Sequence, residues 1–154
     1  MKKILTIVVA CLFSFALMGQ DSFEDARVFR VGADVSADCF LPFAVGSTFH
    51  PSVGLGVRAR FGRPDQWFNL IGGLRYIYGV RLSGFQIPLM LNVNLLRLDR
   101  VSAYLGGGYE FDFIGTYWGC AKFQGGVLIG PRTDFRVFYK PYQGDLGVGF
   151  TYYF

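Results

Sequence analysis

Apolar and polar side chains alternate with a period of two through most of the chain from residue 27 onwards. The alternation is cleanest in residues 144–154, where one face is small or polar and the other carries Leu146, Val148, Phe150, Tyr152 and Phe154. Side chains of a β-strand point alternately to its two faces. The pattern therefore predicts that residues 144–154 form a strand with one apolar, largely aromatic face.

Seven earlier segments repeat the alternation and raise the number of predicted strands to eight. They span residues 27–37, 52–62, 67–78, 84–96, 101–113, 118–129 and 133–140. Tight polar turns at 62–66, 98–100 and 130–132 alternate with longer or more variable connections, as they do in up-and-down barrels. We therefore predict an all-β fold, an eight-stranded antiparallel up-and-down β-barrel.

The apolar face of such a barrel points either inward, as in a soluble lipocalin-like barrel, or outward into lipid. An eight-stranded barrel has an interior just wide enough to be filled by side chains. Some five large apolar residues from every strand would overfill that space, whereas the opposite face is rich in glycine. The volume argument favours a transmembrane barrel over a soluble one.

The amino terminus has the pattern of a secretory signal peptide. Met1, Lys2 and Lys3 precede an apolar run over residues 4–18 and a small residue at Gly19. We expect residues 1–19 to be cleaved and residues 20–154 to form the barrel domain. No later apolar run approaches the roughly 18 residues of a membrane helix.

The net charge of +4 does not indicate a nucleic-acid partner. Without Lys2 and Lys3, the 15 basic residues become 13 against 11 acidic ones, a net charge of +2. The arginines are also scattered singly along the strands rather than clustered as a nucleic-acid footprint. No cofactor is predicted either, because the glycine-rich stretches lie inside strands with no helix following.

The signal peptide, the eight alternating strands and the terminal aromatic Phe154 together resemble the small bacterial outer-membrane barrels of the outer-membrane-protein A and X type. The resemblance implies a monomer in the outer membrane, surrounded by lipid and lipopolysaccharide. It also implies that Phe150, Tyr152 and Phe154 are the signal read by the barrel-assembly machinery. The family includes anchors, adhesins, defence factors and a few lipid-modifying enzymes, so the fold alone does not determine the function.

Charged residues occupy the face predicted to point into the lumen. They are Arg30, Asp34, Arg58, Arg60, Arg75, Glu110, Asp112, Lys122, Asp134 and Arg136. One interpretation is an ion-pair network that fills a closed barrel, and the other is a narrow anion-selective pore. An unpaired buried charge costs several kcal/mol, so each arginine is expected to have a carboxylate partner.

The longest predicted connection, residues 38–51, is unusually apolar for a loop in water. Its large apolar residues are Phe40, Leu41, Phe43 and Phe49. Contiguous exposed apolar side chains usually mark a contact surface. We therefore expect a non-catalytic role in which this loop binds a protein partner, unless strands 1 and 2 simply run longer.

The only histidine, His50, stands two residues before Ser52 at the end of the same loop. This pair is similar to the pattern in small outer-membrane lipid A deacylases, where serine is the nucleophile and histidine the base. The family's third, acidic residue has no matching position here. A deacylase-like enzyme using His50 and Ser52 is therefore the alternative function.

Two cysteines, Cys39 and Cys120, remain after signal-peptide removal. A disulfide requires their Cα atoms within about 7 Å. Strands 1 and 6 are three steps apart around the predicted wall. The bond is therefore expected only if the first loop folds over the barrel mouth.

Overall fold

The computed structural model describes residue 23 and residues 27–40, 51–79, 83–113 and 118–154 of this chain. The eight strands are β1 (Phe29–Phe40), β2 (Pro51–Phe61), β3 (Phe68–Gly79), β4 (Ser83–Arg97), β5 (Val101–Phe113), β6 (Cys120–Ile129), β7 (Thr133–Lys140) and β8 (Asp145–Tyr153). Each strand pairs antiparallel with the next, and β8 pairs with β1 to close the barrel. The predicted all-β, eight-stranded up-and-down barrel is confirmed. The predicted signal peptide, residues 1–19, lies outside the described residues.

The two faces of the wall differ as the alternation predicted. On β4, Leu89 and Leu91 are 48% and 50% exposed and point outward, whereas Met90 and Asn92 are buried in the lumen. The same parity holds on the other strands, so an apolar outer surface surrounds a largely polar interior. Within the described residues, no helix is long and apolar enough to cross a bilayer.

The connections divide the barrel into two ends, which we name by their length. The turn end carries the tight connections at 62–67, 98–100 and 130–132. Gly62 and Gly130 adopt positive φ angles of 116° and 57° there, a backbone conformation that glycine adopts without steric cost. The opposite end, which we call the loop end, carries the remaining connections.

The barrel closes where β8 fits between β7 and β1. Phe150 pairs with Val35 on β1 and with Phe135 on β7, and the two phenylalanine rings lie 5.0 Å apart. Tyr152 and Phe154 also face outward, with ring centroids 5.7 Å apart. These three aromatic residues are therefore presented on the outer surface of the closing strand, and their role in assembly stays a prediction.

The boundaries of the first connection differ from the prediction. β1 continues through Asp38 to Phe40, and β2 begins at Pro51, which pairs with Cys39. The ladder therefore takes both ends of the predicted 38–51 loop and leaves residues 41–50 as the connection. The alternative that strands 1 and 2 run longer is therefore correct for residues 38–40 and for Pro51.

Two irregularities interrupt the ladders of β4. Pro88 lacks an N–H, and the β3–β4 pairing is broken between the Gly72–Leu89 and Arg75–Gln86 pairs. Nearer the turn end, the β4–β5 register shifts between Asn94 and Leu96. Because of this bulge, the adjacent side chains Leu95 and Leu96 are both exposed, at 60% and 48%.

Candidate functional site

The lumen brings together the charged residues that the sequence singled out, and Glu110 is the centre of its loop-end half. The Glu110 carboxylate lies 2.9 Å from Nη2 of Arg75, 2.7 Å from Nζ of Lys122 and 3.0 Å from Nζ of Lys140. All four side chains are almost fully buried. One carboxylate from β5 therefore accepts charge-assisted hydrogen bonds from cations on β3, β6 and β7.

Asp38 extends this cluster towards the loop end. Its carboxylate lies 3.3 Å from Nζ of Lys140 and 3.6 Å from Nη2 of Arg75. Arg75 also donates to Ser36 at 2.9 Å and to Gln86 at 2.8 Å. Since its guanidinium has partners on β1, β4 and β5, Arg75 is fixed in one orientation across the lumen.

The ring of Phe138 lies among the three cations of the Glu110 cluster. Nζ of Lys122 is 4.0 Å from the ring centroid, and Cζ of Arg75 is 5.3 Å from it. The ring face carries partial negative charge and attracts cations at such distances. Phe138 therefore fills the lumen and also stabilises the cations around it.

A second ion pair joins β1 to β7 in the middle of the lumen. Nη2 of Arg136 donates to Oδ1 of Asp34 at 2.6 Å, and Nη1 of Arg136 donates to Oγ1 of Thr151 at 2.7 Å. The Thr151 hydroxyl in turn donates to Oδ1 of Asp34 at 2.6 Å. The three residues form a closed hydrogen-bonded triangle on β1, β7 and β8.

Arg58 and Arg60, in the turn-end half, depart from the expectation that each lumen arginine has a carboxylate partner. Nη2 of Arg58 donates to Oε1 of Gln124 at 3.0 Å. Nη2 of Arg60 donates to the backbone carbonyl of Pro131 at 3.2 Å, and its Cζ lies 4.7 Å above the ring of Tyr153. Neutral oxygens and a ring thus take the contacts that we assigned to carboxylates.

Other buried groups close the turn end of the lumen. Asp134 accepts a hydrogen bond of 2.7 Å from the Tyr104 hydroxyl. Phe23 is 2% exposed and forms an apolar cluster with Tyr104, Leu128 and Tyr153. Its backbone N–H donates to the carbonyl of Asp99 in the β4–β5 turn at 3.1 Å. Phe23 therefore packs into the turn end.

The remaining predicted lumen residues are also buried. Arg30 is 8% exposed on β1, and Asp112 on β5 accepts a hydrogen bond of 3.0 Å from the side-chain amide of Gln143. No group of three or more histidine, cysteine and acidic side chains in the described ranges could hold a metal ion.

Sequence reasoning missed two charged members of the lumen network, Asp38 and Lys140, and the packing of Phe23 into the turn end. Asp38 was assigned to a loop because strand 1 was predicted to end at residue 37, three residues before its end at Phe40. Lys140 stood on the correct face of strand 7 but was not counted among the lumen charges. Both follow from extending the alternation to the strand ends, whereas the burial of Phe23 had no periodic signal.

Glycines on the inner face leave room for these side chains. A Cβ on Gly149 would lie 2.6 Å from Cζ of the Arg136 guanidinium, and one on Gly147 would lie 2.5 Å from Cε2 of the Phe138 ring and closer still to its Cζ. A Cβ on Gly126 would lie 2.6 Å from the Tyr104 hydroxyl. Large inward side chains therefore lie directly above glycines on the neighbouring strand.

The alternative enzymatic site is only partly described. Ser52 is half-buried on the inner face of β2 at the loop end and pairs with Asp38. His50 lies outside the described residues, as do Leu41, Phe43 and Phe49. Phe40 belongs to β1, although its side chain is not among those described. The geometry of the His50 and Ser52 pair and the role of the loop both stay predictions.

Cys39 and Cys120 are free thiols. Cys39 lies half-buried on the outer face of β1, where its Sγ donates to the carbonyl of Leu146 at 3.4 Å. Cys120 is buried on the inner face of β6. The disulfide considered from the sequence is therefore not formed, because the two thiols point to opposite sides of the barrel wall.

Comparison with known proteins supports the fold class of this chain. No family model and no curated protein matches the chain. A solved structure described as de novo design of transmembrane β-barrels matches with a TM-score of 0.51 and 12% sequence identity, covering 84% of this chain and 98% of that one. At this identity the similarity establishes the fold alone. The chain is a closed eight-stranded antiparallel barrel similar to designed transmembrane barrels.

Proposed function

We propose that this chain is an integral β-barrel of a bacterial outer membrane with a non-catalytic role in membrane structure or surface contact. The observation that carries the proposal is the contrast between the apolar outer face and the charged inner face of the barrel wall. Leu55 and Leu105 are 60% and 57% exposed on the outer surface, whereas twelve charged side chains of the described residues are buried inside. An apolar belt of this kind is stable against acyl chains and unfavourable in water.

Further features support the membrane assignment. The fold is similar to that of designed transmembrane barrels. The predicted signal peptide and the aromatic closing strand are typical of exported barrels that an assembly machinery inserts. In this proposal the surroundings are outer-membrane lipid and lipopolysaccharide, and the protein is a monomer.

We further propose that the lumen braces the barrel and does not conduct ions. Phe138 lies among the Glu110 cluster in the loop-end half, and Phe23 packs into the turn end. A permeating ion would have to displace both aromatic side chains and break ion pairs shorter than 3 Å. The anion-selective path considered from the sequence is therefore the less favoured function.

Reconstitution of the mature chain tests both parts of this proposal. Insertion into liposomes is checked by resistance to protease and by heat-dependent mobility in a denaturing gel. The inserted protein is then added to planar bilayers, where we expect no discrete conductance steps. A chain that stays monomeric and folded in buffer without detergent would be a soluble barrel. Discrete anion-selective currents would show a narrow pore.

The surface-contact role rests on the loop end. Trp118 and Tyr142 are 86% and 77% exposed there, at the end of the barrel where β1 ends and β2 begins. The sequence between these two strands is apolar. Analysis of lipid A from cells that overexpress the protein separates this role from the deacylase. We expect unmodified lipid A. A lost acyl chain that returns with His50→Ala would establish the deacylase instead.

A further inference from the structure

Charge is distributed unevenly along the lumen. In the loop-end half of the described barrel, three buried cations (Arg75, Lys122, Lys140) face three buried carboxylates (Asp38, Glu110, Asp112). Arg136 and Asp34 balance one another at mid-height. In the turn-end half, three buried arginines (Arg30, Arg58, Arg60) face one described buried carboxylate, Asp134. Arg58 and Arg60 alone therefore carry one positive charge more than Asp134 offsets.

The unused hydrogen-bonding atoms follow the same division. In the turn-end half they include Nε of Arg58, Nε and Nη1 of Arg60 and the hydroxyls of Thr133 and Tyr153. In the loop-end half they include one oxygen each of Asp38 and Asp112. The turn-end half has donors left over, whereas the loop-end half has acceptors left over.

Neighbouring groups do not supply the missing negative charge. Arg58 and Arg60 lie within electrostatic range of one another and share Tyr104, Asp134 and Tyr153 as ionisable neighbours. Asp134 already accepts a hydrogen bond from Tyr104. The Gln124 amide that accepts from Arg58 donates its own N–H to Asn92 at 2.7 Å. Asp34 also attracts Arg58, but its carboxylate already accepts hydrogen bonds from Arg136 and Thr151. Two buried guanidiniums that repel one another are costly when the nearby carboxylates have other partners, unless a further anion joins them.

We propose that the turn-end half of the lumen binds one small monovalent anion of the halide class, held by the guanidiniums of Arg58 and Arg60 and by the Tyr153 hydroxyl. The donors are charged or polar N–H and O–H groups, which match a spherical anion. One negative charge balances the surplus of Arg58 and Arg60 over Asp134. The site requires only the folded barrel and does not depend on the membrane in which it lies.

The first test is the dependence of stability on halide in detergent at constant ionic strength. Chloride or bromide replaces gluconate, an anion too large for the narrow lumen. An anion that binds only the folded barrel multiplies the folded-to-unfolded ratio about tenfold for each tenfold increase above its dissociation constant. We expect the unfolding midpoint of the wild-type barrel to rise with halide. A midpoint that does not change with halide would overturn the proposal.

Variants locate the effect within the barrel. Arg60→Gln and Tyr153→Phe should abolish or weaken the halide dependence, and Tyr153→Phe removes only a hydroxyl if Arg60→Gln fails to fold. Lys122→Gln, which removes a cation from the balanced half, should keep the dependence. Equal halide dependence in all variants would indicate a surface effect and overturn the site.

Bromide also reports the position of the bound anion directly. In crystals grown with bromide, we expect an anomalous peak beside Arg58 and Arg60.

A second source of negative charge is the chain itself, because Asp21, Glu24 and Asp25 flank Phe23 in the sequence. If the triple variant Asp21→Asn, Glu24→Gln, Asp25→Asn gained halide dependence that the wild type lacks, those carboxylates would be the anion and the proposal would be wrong.

Discussion

Nη2 of Arg75 on β3 donates to both carboxylate oxygens of Glu110 on β5, at 2.9 Å each. β3 and β5 are not neighbours in the sheet, since β4 lies between them. Arg136 and Asp34 likewise join β7 to β1 past β8. The ion pairs therefore brace the barrel across its interior, in addition to the backbone ladders that hold adjacent strands.

Glu110→Gln is expected to destabilise the barrel severely. The substitution keeps the size of the side chain but removes the charge that Arg75, Lys122 and Lys140 share. Removing one partner of a buried ion pair typically costs about 3–5 kcal/mol, because it leaves charge buried without compensation. Urea unfolding of the refolded protein in detergent measures the loss.

The matched comparison is the ion pair between Arg63 and Asp65 at the turn end. It has a similar N–O distance of 3.1 Å, but its side chains are 31% and 46% exposed. Asp65→Asn should cost no more than about 1 kcal/mol, because solvent screens the pair. If both substitutions cost the same, burial would not be the source of the stability of the network.

The faces of the strands could be predicted from the sequence because a period of two leaves little choice. Once one apolar residue of a strand is assigned to the outer face, the faces of all the remaining residues in that strand follow. This reasoning places Arg58, Arg75 and Glu110 inside the barrel from the sequence alone, and all three are buried there. It failed only where the period changes, as at the bulge that exposes both Leu95 and Leu96.

Partners inside the lumen could not be predicted in the same way. Which cation meets Glu110 depends on the stagger of eight strands around a closed wall, and no local pattern encodes that stagger. Arg60 shows the consequence. A carboxylate was expected, but its contacts are the carbonyl of Pro131 and the ring of Tyr153. The packing of Phe23 has the same cause, because it contacts residues far away in the sequence.

Leu105→Arg should destabilise the barrel in a membrane. Leu105 is 57% exposed near the middle of β5, on the outer face. Arginine at the middle of a lipid-facing strand costs roughly 2–4 kcal/mol, and the cost falls to about 0–1 kcal/mol near the interface. Leu98→Arg is the control, since Leu98 is equally exposed but follows β4 at the turn end. Denaturant titration in liposomes gives both values, and a Leu105→Arg barrel as stable as wild type would contradict the face assignment.

Cys39 and Cys120 should both be found as free thiols. Cys39 points outward from β1 and Cys120 inward from β6, so the wall separates them. Alkylation of the unreduced mature chain, residues 20–154, in denaturant, followed by intact mass measurement, should add two groups to the wild type and one to Cys39→Ala. An unreduced wild-type chain that accepts no group would contain the disulfide and would require a different fold at the loop end.

Gly147→Ala should destabilise the barrel although it adds a single methyl group. The new Cβ would overlap the Phe138 ring, lying 2.5 Å from Cε2 and closer still to Cζ. That ring is 1% exposed and surrounded by the cations of the Glu110 cluster. Since the ring has no free space, overpacking should cost about 1–3 kcal/mol. Gly72→Ala is the matched control, because no atom lies within 4 Å of its added Cβ. There alanine should be neutral or stabilise the barrel by up to roughly 1 kcal/mol, since it restricts the unfolded chain. Urea midpoints of the two variants measure the difference, and equal midpoints would show that the lumen around Phe138 is loosely packed.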